Sequence, residues 1–171
     1  MHPIARNLRR AGAEKKPMDR SLLYISRKTI PLETDKAEIA NILATARVHN
    51  AKVGITGGLI NTNYAFAQLL EGPGEAIDDL MERIEDDPRH VNVQILRYYP
   101  ITRRKLPDWS MAYSGPSSYV ANRIEPLLGK DLEPDHRQID RLAAMLVQFA
   151  SAHDDPAELA EARGEPPPAW S

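Results

Sequence analysis

The chain has 171 residues, of which 42% are hydrophobic and 27% are charged, and its formal net charge is −2. These values exclude collagenous and wholly disordered proteins and predict one globular domain with extensions. Acidic and basic residues are mixed along most of the chain, so the sequence predicts no nucleic-acid partner. The chain has no cysteine, which excludes disulfides, thiolate metal sites and cofactors attached through sulfur.

The two ends of the chain differ in composition from its middle. Residues 1–20 carry an excess of arginine and lysine, and we expect a flexible basic N-terminal arm. Residues 153–171 include Pro166-Pro167-Pro168, and we expect a disordered tail. No segment reaches the roughly 18 apolar residues of a membrane-spanning helix, and residues 1–20 lack the apolar core of a signal peptide. The sequence therefore predicts a cytoplasmic protein with no membrane contact.

Hydrophobic periodicity predicts the secondary structure between these ends. Alternating apolar residues predict strands, and apolar residues three or four positions apart predict helices. Glycine and proline clusters mark the breaks, as at Gly72-Pro73-Gly74 and Pro88. The predicted elements, in chain order, are strand 21–26, a helix from 35 to about 50, strands 55–60 and 64–70, helix 76–84, strands 91–99 and 109–113, and helix 139–150.

The element order βαββαβ predicts an α+β ferredoxin-like sandwich, here with an additional fifth strand and a C-terminal helical extension. Right-handed crossovers place both helices on one face of the sheet and the first and third strands side by side at its centre. Tyr24 and Gln68 are then expected to meet beneath the helices. The amphipathic segment 139–150 must pack either on the back of the sheet or on another subunit.

Several polar residues lie within otherwise apolar segments, and Gln68 is the hardest of them to explain structurally. Tyr24 can be a core residue, His49 can complement a helix C-terminus and Asn50 can cap a helix. An amide on a central strand must satisfy two donors and an acceptor, because an unmet group costs about 1–3 kcal/mol. Tyr24 supplies one partner. A planar heteroaromatic ligand between the helices would supply the others.

Two other functions use the same fold. An RNA-binding module would stack bases on aromatic residues of the third strand, where Tyr64 and Phe66 occur, but its basic flank is missing. An acylphosphatase-like hydrolase would need an arginine after the first strand and an asparagine on the hairpin. Arg27 is available, but no glycine-rich anion-binding loop surrounds it. The histidines lack the spacing of a zinc site, so no metal is expected.

Five segments in unbroken order resemble the BLUF domain, the sensor of blue light using FAD. The match extends over about residues 22–113, so we expect a flavin-binding domain at 21–114 followed by a C-terminal helical extension at 115–152. The segments are Tyr24-x-Ser26, His49-Asn50-Ala51-Lys52 running into Gly54-Ile55-Thr56-Gly57, Phe66-Ala67-Gln68-Leu69-Leu70-Glu71-Gly72, Asp86-Asp87-Pro88-Arg89-His90, and Pro107-Asp108-Trp109-Ser110-Met111.

The resemblance implies a blue-light photoreceptor that binds FAD noncovalently between its two helices. Tyr24 would donate an electron and a proton to the excited flavin, and Gln68 would rearrange its hydrogen bonds, giving a red shift that reverses in the dark. Trp109 and Met111 would compete for the space beside Gln68. The residues that the resemblance assigns to cofactor binding are Tyr24, His49, Asn50, Gln68, Arg89 and His90.

One departure from the family is Ala46, where many relatives have a serine that hydrogen-bonds the glutamine. Gln68 therefore has one partner fewer, which concerns its resting orientation or the recovery rate rather than flavin binding. We expect a sensor without catalytic activity and without an output domain of its own. Its predicted partners are a second copy of the chain, as a homo-oligomer, and an unidentified downstream protein.

Overall fold

The computed structural model describes residues 18–31, 34–109, 111–114, 118–128 and 135–152. Residues 1–17 and the predicted tail at 153–171 lie outside the described residues. The elements are β1 (Asp19–Lys28), α1 (Asp35–Val53), β2 (Thr56–Asn61), β3 (Ala65–Pro73), α2 (Gly74–Asp86), β4 (His90–Pro100), β5 (Ala112–Ser114), α3 (Ser118–Ile124), a 3-10 helix (Glu125–Leu128) and α4 (His136–Ala152).

The sheet has the strand order β4-β1-β3-β2-β5. Neighbouring strands among the first four are antiparallel, and β5 runs parallel to β2. β1 and β3 are adjacent at the centre of the sheet, as the sequence predicted, because each crossover passes over one strand position. β3 fills the position between β1 and β2, and β1 fills the position between β3 and β4. The α+β ferredoxin-like fold with a fifth strand is confirmed.

Most element boundaries differ from those predicted by a few residues, and three of the differences affect the site. β1 begins at Asp19, because its ladder with β3 continues as far as the pairing of Asp19 with Pro73. α1 continues past Asn50 to Val53, and it ends at Gly54, whose φ of 75° is the left-handed conformation that glycine adopts most easily. Asn50 is therefore inside the helix, and the capping residue is Gly54. The fifth strand starts at Ala112 rather than Trp109.

The sheet separates two apolar layers. Alternate residues of β1 point to opposite faces, so Leu22 and Tyr24 face α1 and α2, whereas Leu23 and Ile25 face the other side. On that other side, Ile124, Leu127 and most apolar residues of α4 cover the sheet. The amphipathic segment 139–150 thus packs on the back of the sheet. Within the described residues, no helix is long and apolar enough to cross a membrane.

Candidate functional site

Tyr24 and Gln68 form the centre of the candidate site. They are directly opposite each other in the ladder of β1 and β3, and their exposed fractions are 1% and 6%. The Tyr24 hydroxyl donates a hydrogen bond to Gln68 Oε1 at 2.5 Å. Gln68 Nε2 donates to the Met111 sulfur at 3.2 Å. The predicted meeting of Tyr24 and Gln68 beneath the helices is confirmed, and Met111 extends the contact to a third residue.

Burial controls the protonation of Tyr24. The loss of hydration raises the pKa of the Tyr24 phenol well above its ordinary value, and the negative charge of Asp87 raises the pKa further. The hydroxyl therefore keeps its proton throughout the physiological pH range and acts as a hydrogen-bond donor. Gln68 accepts that bond through its carboxamide oxygen, which leaves its amide nitrogen facing Met111.

His49 and Asn50 occupy the last turns of α1. Asn50 is fully buried, and its backbone carbonyl accepts the N–H groups of Gly54 and Ile55, so the end of the helix holds its backbone in place. His49 is half-buried, and its Nδ1 lies 3.5 Å from the Arg83 guanidinium of α2. These two residues thus place polar groups on the side of α1 that faces the sheet and on the side that faces α2.

His90 lies at the start of β4, beside the central pair. Its Nδ1 is 2.8 Å from the Ser26 hydroxyl, and its ring centroid is 4.5 Å from that of Phe66 and 6.2 Å from that of Tyr24. Burial lowers the pKa of His90 to about 4, although the carboxylate of Asp87 opposes this shift. His90 is therefore neutral at pH 7, and it can accept or donate hydrogen bonds without bringing a charge into the site.

Charged residues line a cleft between α1 and the end of α2. The cleft has a volume of about 580 Å³, and it is widely open to solvent rather than enclosed. Arg89 Nη2 is 2.6 Å from Asp87 Oδ2, and Arg89 Nη1 is 3.6 Å from Glu38 Oε2. The Arg89 guanidinium lowers the pKa of the Asp87 carboxyl. The cleft is lined by Glu38, Arg83, Asp86, Asp87, Pro88 and Arg89.

The structure brings Met111, and not Trp109, to Gln68. Met111 is buried in the layer that contains Tyr24, whereas half-buried Trp109 packs against the layer beneath α4. If both residues belonged to the fifth strand, as the sequence predicted, they would face the same side. Trp109 instead precedes the strand, and its carbonyl accepts the N–H of Gly57 at 2.8 Å. The role of Trp109 in the light response stays a prediction.

Sequence reasoning missed two polar contacts beside the site. Arg47 of α1 donates a hydrogen bond from Nε to the Met111 carbonyl at 3.2 Å. Lys28 Nζ is 2.7 Å from Asp35 Oδ1, and the Lys28 side chain has an exposed fraction of 0%. The alternation in β1 carried a signal for the second contact, because Lys28 is two residues after Ser26 and therefore shares its face. No sequence signal pointed to the first contact.

The geometry supports neither of the two other functions. Helices cover both faces of the sheet, so the Phe66 side chain is fully buried. The Tyr64 side chain, by contrast, is 59% exposed. Tyr64 and Phe66, the two aromatic residues that base stacking would use, therefore do not form an open pair. Arg27 is within β1 rather than in a loop that follows it, so it is not part of an anion-binding loop. In the part of the chain that the structure describes, no three potential metal ligands come together.

The chemistry of the site fits a flavin. A flavin ring is planar, and it has apolar faces and a polar edge that carries both donors and acceptors. Three buried residues supply neutral hydrogen-bonding groups: Tyr24 on β1, Asn50 on α1 and Gln68 on β3. Buried apolar residues surround these groups. The apolar surroundings are provided by α1, α2 and the sheet, through residues that include Ile39, Leu43, Leu59, Ile77 and Met81.

Comparison with known proteins supports the same conclusion. A sequence model of the BLUF family, described as sensors of blue light using FAD, matches residues 20–112. The photoactivated adenylate cyclase subunit beta of Euglena gracilis is 38% identical over 92 residues, which are 53% of this chain and 10% of that protein. The chain therefore spans about a tenth of the length of this curated relative.

Solved structures agree with the sequence matches. The dark-state structure of BlrB, a BLUF protein, is 32% identical, with a TM-score of 0.63, and the match covers 80% of this chain and 98% of that one. The photo-activated state of BlsA is 28% identical, with a TM-score of 0.65 and coverage of 76% and 95%. This chain belongs to the BLUF family and is a flavin-binding sensor of blue light.

Proposed function

We propose that the flavin is FAD, bound noncovalently between α1 and α2, and that Tyr24 and Gln68 are the hydrogen-bond pair that responds to light. The observation that carries this proposal is the continuous contact from the Tyr24 hydroxyl through the Gln68 amide to the Met111 sulfur. All three groups are buried on the side of the sheet that faces both helices. A change at one of them therefore alters the hydrogen bonds of the next.

The residues around this pair have distinct parts in holding the cofactor. Asn50 and Gln68 supply amide groups for the polar edge of the ring. His49 flanks the site from α1, and His90 flanks it from β4 without carrying a charge at pH 7. Arg83 and Arg89 are the cationic groups that line the cleft, so they are the candidates for contact with the phosphates of the cofactor tail. The family description supports the choice of FAD among flavins.

A bound flavin would supply a chromophore for blue light and, once excited, an acceptor for an electron and a proton. Tyr24 is suited to donate both, because a phenol is oxidisable and burial keeps its proton at Oη. Gln68 can exchange its carboxamide oxygen and nitrogen by rotating the amide. After such a rotation Oε1 faces the Met111 sulfur. Two acceptors then oppose each other, so the hydrogen bond of 3.2 Å between Gln68 and Met111 is lost.

The signal leaves the domain through protein contacts in this proposal. Trp109 connects the segment beside Gln68 to the layer beneath α4, so a displaced Met111 can alter that layer. A homo-oligomer and an unidentified downstream protein are the proposed recipients. The Euglena relative is a much longer protein named as an adenylate cyclase subunit, and that activity is a property of the relative. The cytoplasmic location stays a prediction.

The direct test is the visible absorption spectrum of the purified chain, reconstituted with FAD, before, during and after blue illumination. We expect a structured flavin spectrum that shifts to the red in light and returns in the dark. An Asn50→Leu variant should retain less flavin after gel filtration, because a buried amide partner is lost. Failure to retain any flavin would contradict the proposed site. Retained flavin without a reversible shift would contradict the proposed switch.

The proposed output has a separate test. Light scattering in the dark and under blue light should report a change in mass or in affinity between copies of the chain. An identical monomeric mass in both conditions at all accessible concentrations would remove the homo-oligomer and leave a different protein as the recipient.

A further inference from the structure

Arg47 contacts Met111 at the candidate site, although it is not among the residues proposed to bind the flavin. It is half-buried on α1, and its Nε donates to the carbonyl oxygen of Met111 at 3.2 Å. The same Met111 accepts a hydrogen bond at its sulfur from Gln68 Nε2. Met111 is thus attached through two atoms, one of its backbone and one of its side chain. The two attachments go to different elements, α1 and β3.

Backbone pairing also holds the chain before and after Met111. The Trp109 carbonyl accepts the N–H of Gly57 at 2.8 Å, and the ladder between β2 and β5 starts with the pairing of Gly58 and Ala112. Met111 is between these two points, one residue before the strand begins. Arg47 therefore binds the backbone at the residue that joins the preceding loop to β5.

We propose that Arg47 is a positioning residue that keeps Met111 within reach of Gln68 and so sets the rate of dark recovery. This inference rests on the proposed switch. Rotation of the Gln68 amide removes the hydrogen bond to the sulfur, because Oε1 and the sulfur are both acceptors. The bond from Arg47 goes to the backbone carbonyl, so it does not depend on which amide atom faces Met111. It holds the segment in place until the amide rotates back.

A charged donor makes this attachment strong enough to affect a rate. Hydrogen bonds to charged groups contribute more than neutral ones, and Arg47 is only half in contact with water. Without the guanidinium, Met111 is free to leave during the lit state and must return before Gln68 regains its partner. We expect dark recovery to slow by about tenfold, which corresponds to about 1.4 kcal/mol in the activation free energy.

The test compares variants of the full chain with bound flavin. Arg47→Met keeps an unbranched apolar stem and removes the donor and the charge, whereas Arg47→Lys keeps a charged donor. Lys52→Met is the matched control, because Lys52 is an exposed cation in the last turn of the same helix. Each protein is illuminated, and the amplitude of the red shift and the time constant of its decay are recorded.

The expected result is a normal flavin spectrum and a normal red shift for Arg47→Met, with recovery slowed about tenfold. Arg47→Lys should recover within about threefold of the wild-type rate, and Lys52→Met should be unchanged. Recovery of Arg47→Met at or above the wild-type rate would overturn the inference. Loss of flavin or of the red shift in Arg47→Met would also overturn it, because Arg47 would then belong to cofactor binding or to the switch.

A second comparison tests whether Arg47 acts through Met111. In a Met111→Leu background the sulfur is absent, so adding Arg47→Met should change the recovery time less than twofold, well below its effect alone. An undiminished slowing in that background would show that Arg47 acts by another route and would overturn the inference. Absence of any red shift in the wild-type chain is a different outcome, which contradicts the proposed switch itself.

Discussion

Tyr24 lies directly opposite Gln68 in the central pair of strands, and its hydroxyl donates a hydrogen bond of 2.5 Å to the Gln68 carboxamide oxygen. The ladder continues on both sides of this pair, through Leu23 with Leu69 and Ile25 with Ala67. The backbone therefore cannot separate the two side chains without breaking the centre of the sheet. Rotation of the Gln68 amide is the change that remains available to the pair.

Removal of either partner should abolish the light response. Tyr24→Phe removes the hydroxyl and Gln68→Leu removes the amide, and in both variants the apolar surroundings remain to hold the flavin. We expect bound flavin with no red shift under illumination. Tyr64→Phe is a matched control, because Tyr64 is 59% exposed and apart from the site. A reversible red shift of wild-type size in Tyr24→Phe would contradict the role of this hydroxyl.

Removal of Asp35 should lower the free energy of unfolding more than removal of Lys28, its partner in a buried ion pair. Asp35→Ala leaves the fully buried Lys28 ammonium without its partner, which should cost about 3–5 kcal/mol of unfolding free energy. Lys28→Met leaves Asp35 in the first turn of α1, partly exposed and favoured by the helix dipole, and should cost about 1 kcal/mol. Urea unfolding of both variants measures the difference. Equal costs would show that burial of Lys28 does not govern the pair.

The consecutive glycines of β2 should differ in their tolerance of a methyl group. A Cβ at Gly57 would lie 2.2 Å from the Leu69 backbone oxygen, whereas a Cβ at Gly58 would lie 3.3 Å from a Leu106 side-chain methyl. Because backbone cannot yield as a side chain does, Gly57→Ala should destabilise the fold by about 3 kcal/mol or more and Gly58→Ala by about 1 kcal/mol. Thermal unfolding of the pair tests this order. Similar midpoints for the two variants would contradict it.

His90 should make the protein less stable in mild acid. Burial lowers the pKa of His90 to about 4 from its ordinary value of 6.5, so between these pH values the unfolded chain binds a proton that the folded chain does not. Stability therefore falls as the pH falls, and the unfolding free energy should be about 2 kcal/mol lower at pH 5 than at pH 7. The lowered pKa of Asp87 affects stability only below this range.

Urea unfolding at a series of pH values, with flavin in excess, measures this dependence. His90→Asn keeps a polar side chain near Ser26 and has no titratable ring, so the difference between pH 5 and pH 7 should shrink by about 2 kcal/mol. An unchanged pH dependence in His90→Asn would assign the acid sensitivity to other groups.

The order of the elements and the faces of their apolar residues could be predicted from the sequence, because both depend on local chain geometry. Alternation in β1 placed Tyr24 with Leu22 and Ser26 on one face, and the βαββαβ order placed β1 beside β3. Boundaries were less accurate. Pairing with β3 lengthened β1, and α1 continued to Val53 before Gly54 capped it, because hydrogen bonds to neighbouring parts of the chain add to the local preferences of each residue.

The sequence by itself thus determined the fold class, the adjacency of Tyr24 and Gln68 and the family to which the chain belongs. The tertiary structure alone decided that α4 covers the back of the sheet and that Met111, rather than Trp109, meets Gln68. It also decided the contact of Arg47 with Met111, which joins residues 64 positions apart. The physical reason is that periodicity assigns a residue to a face of its own element, whereas contact partners depend on how separate elements pack together.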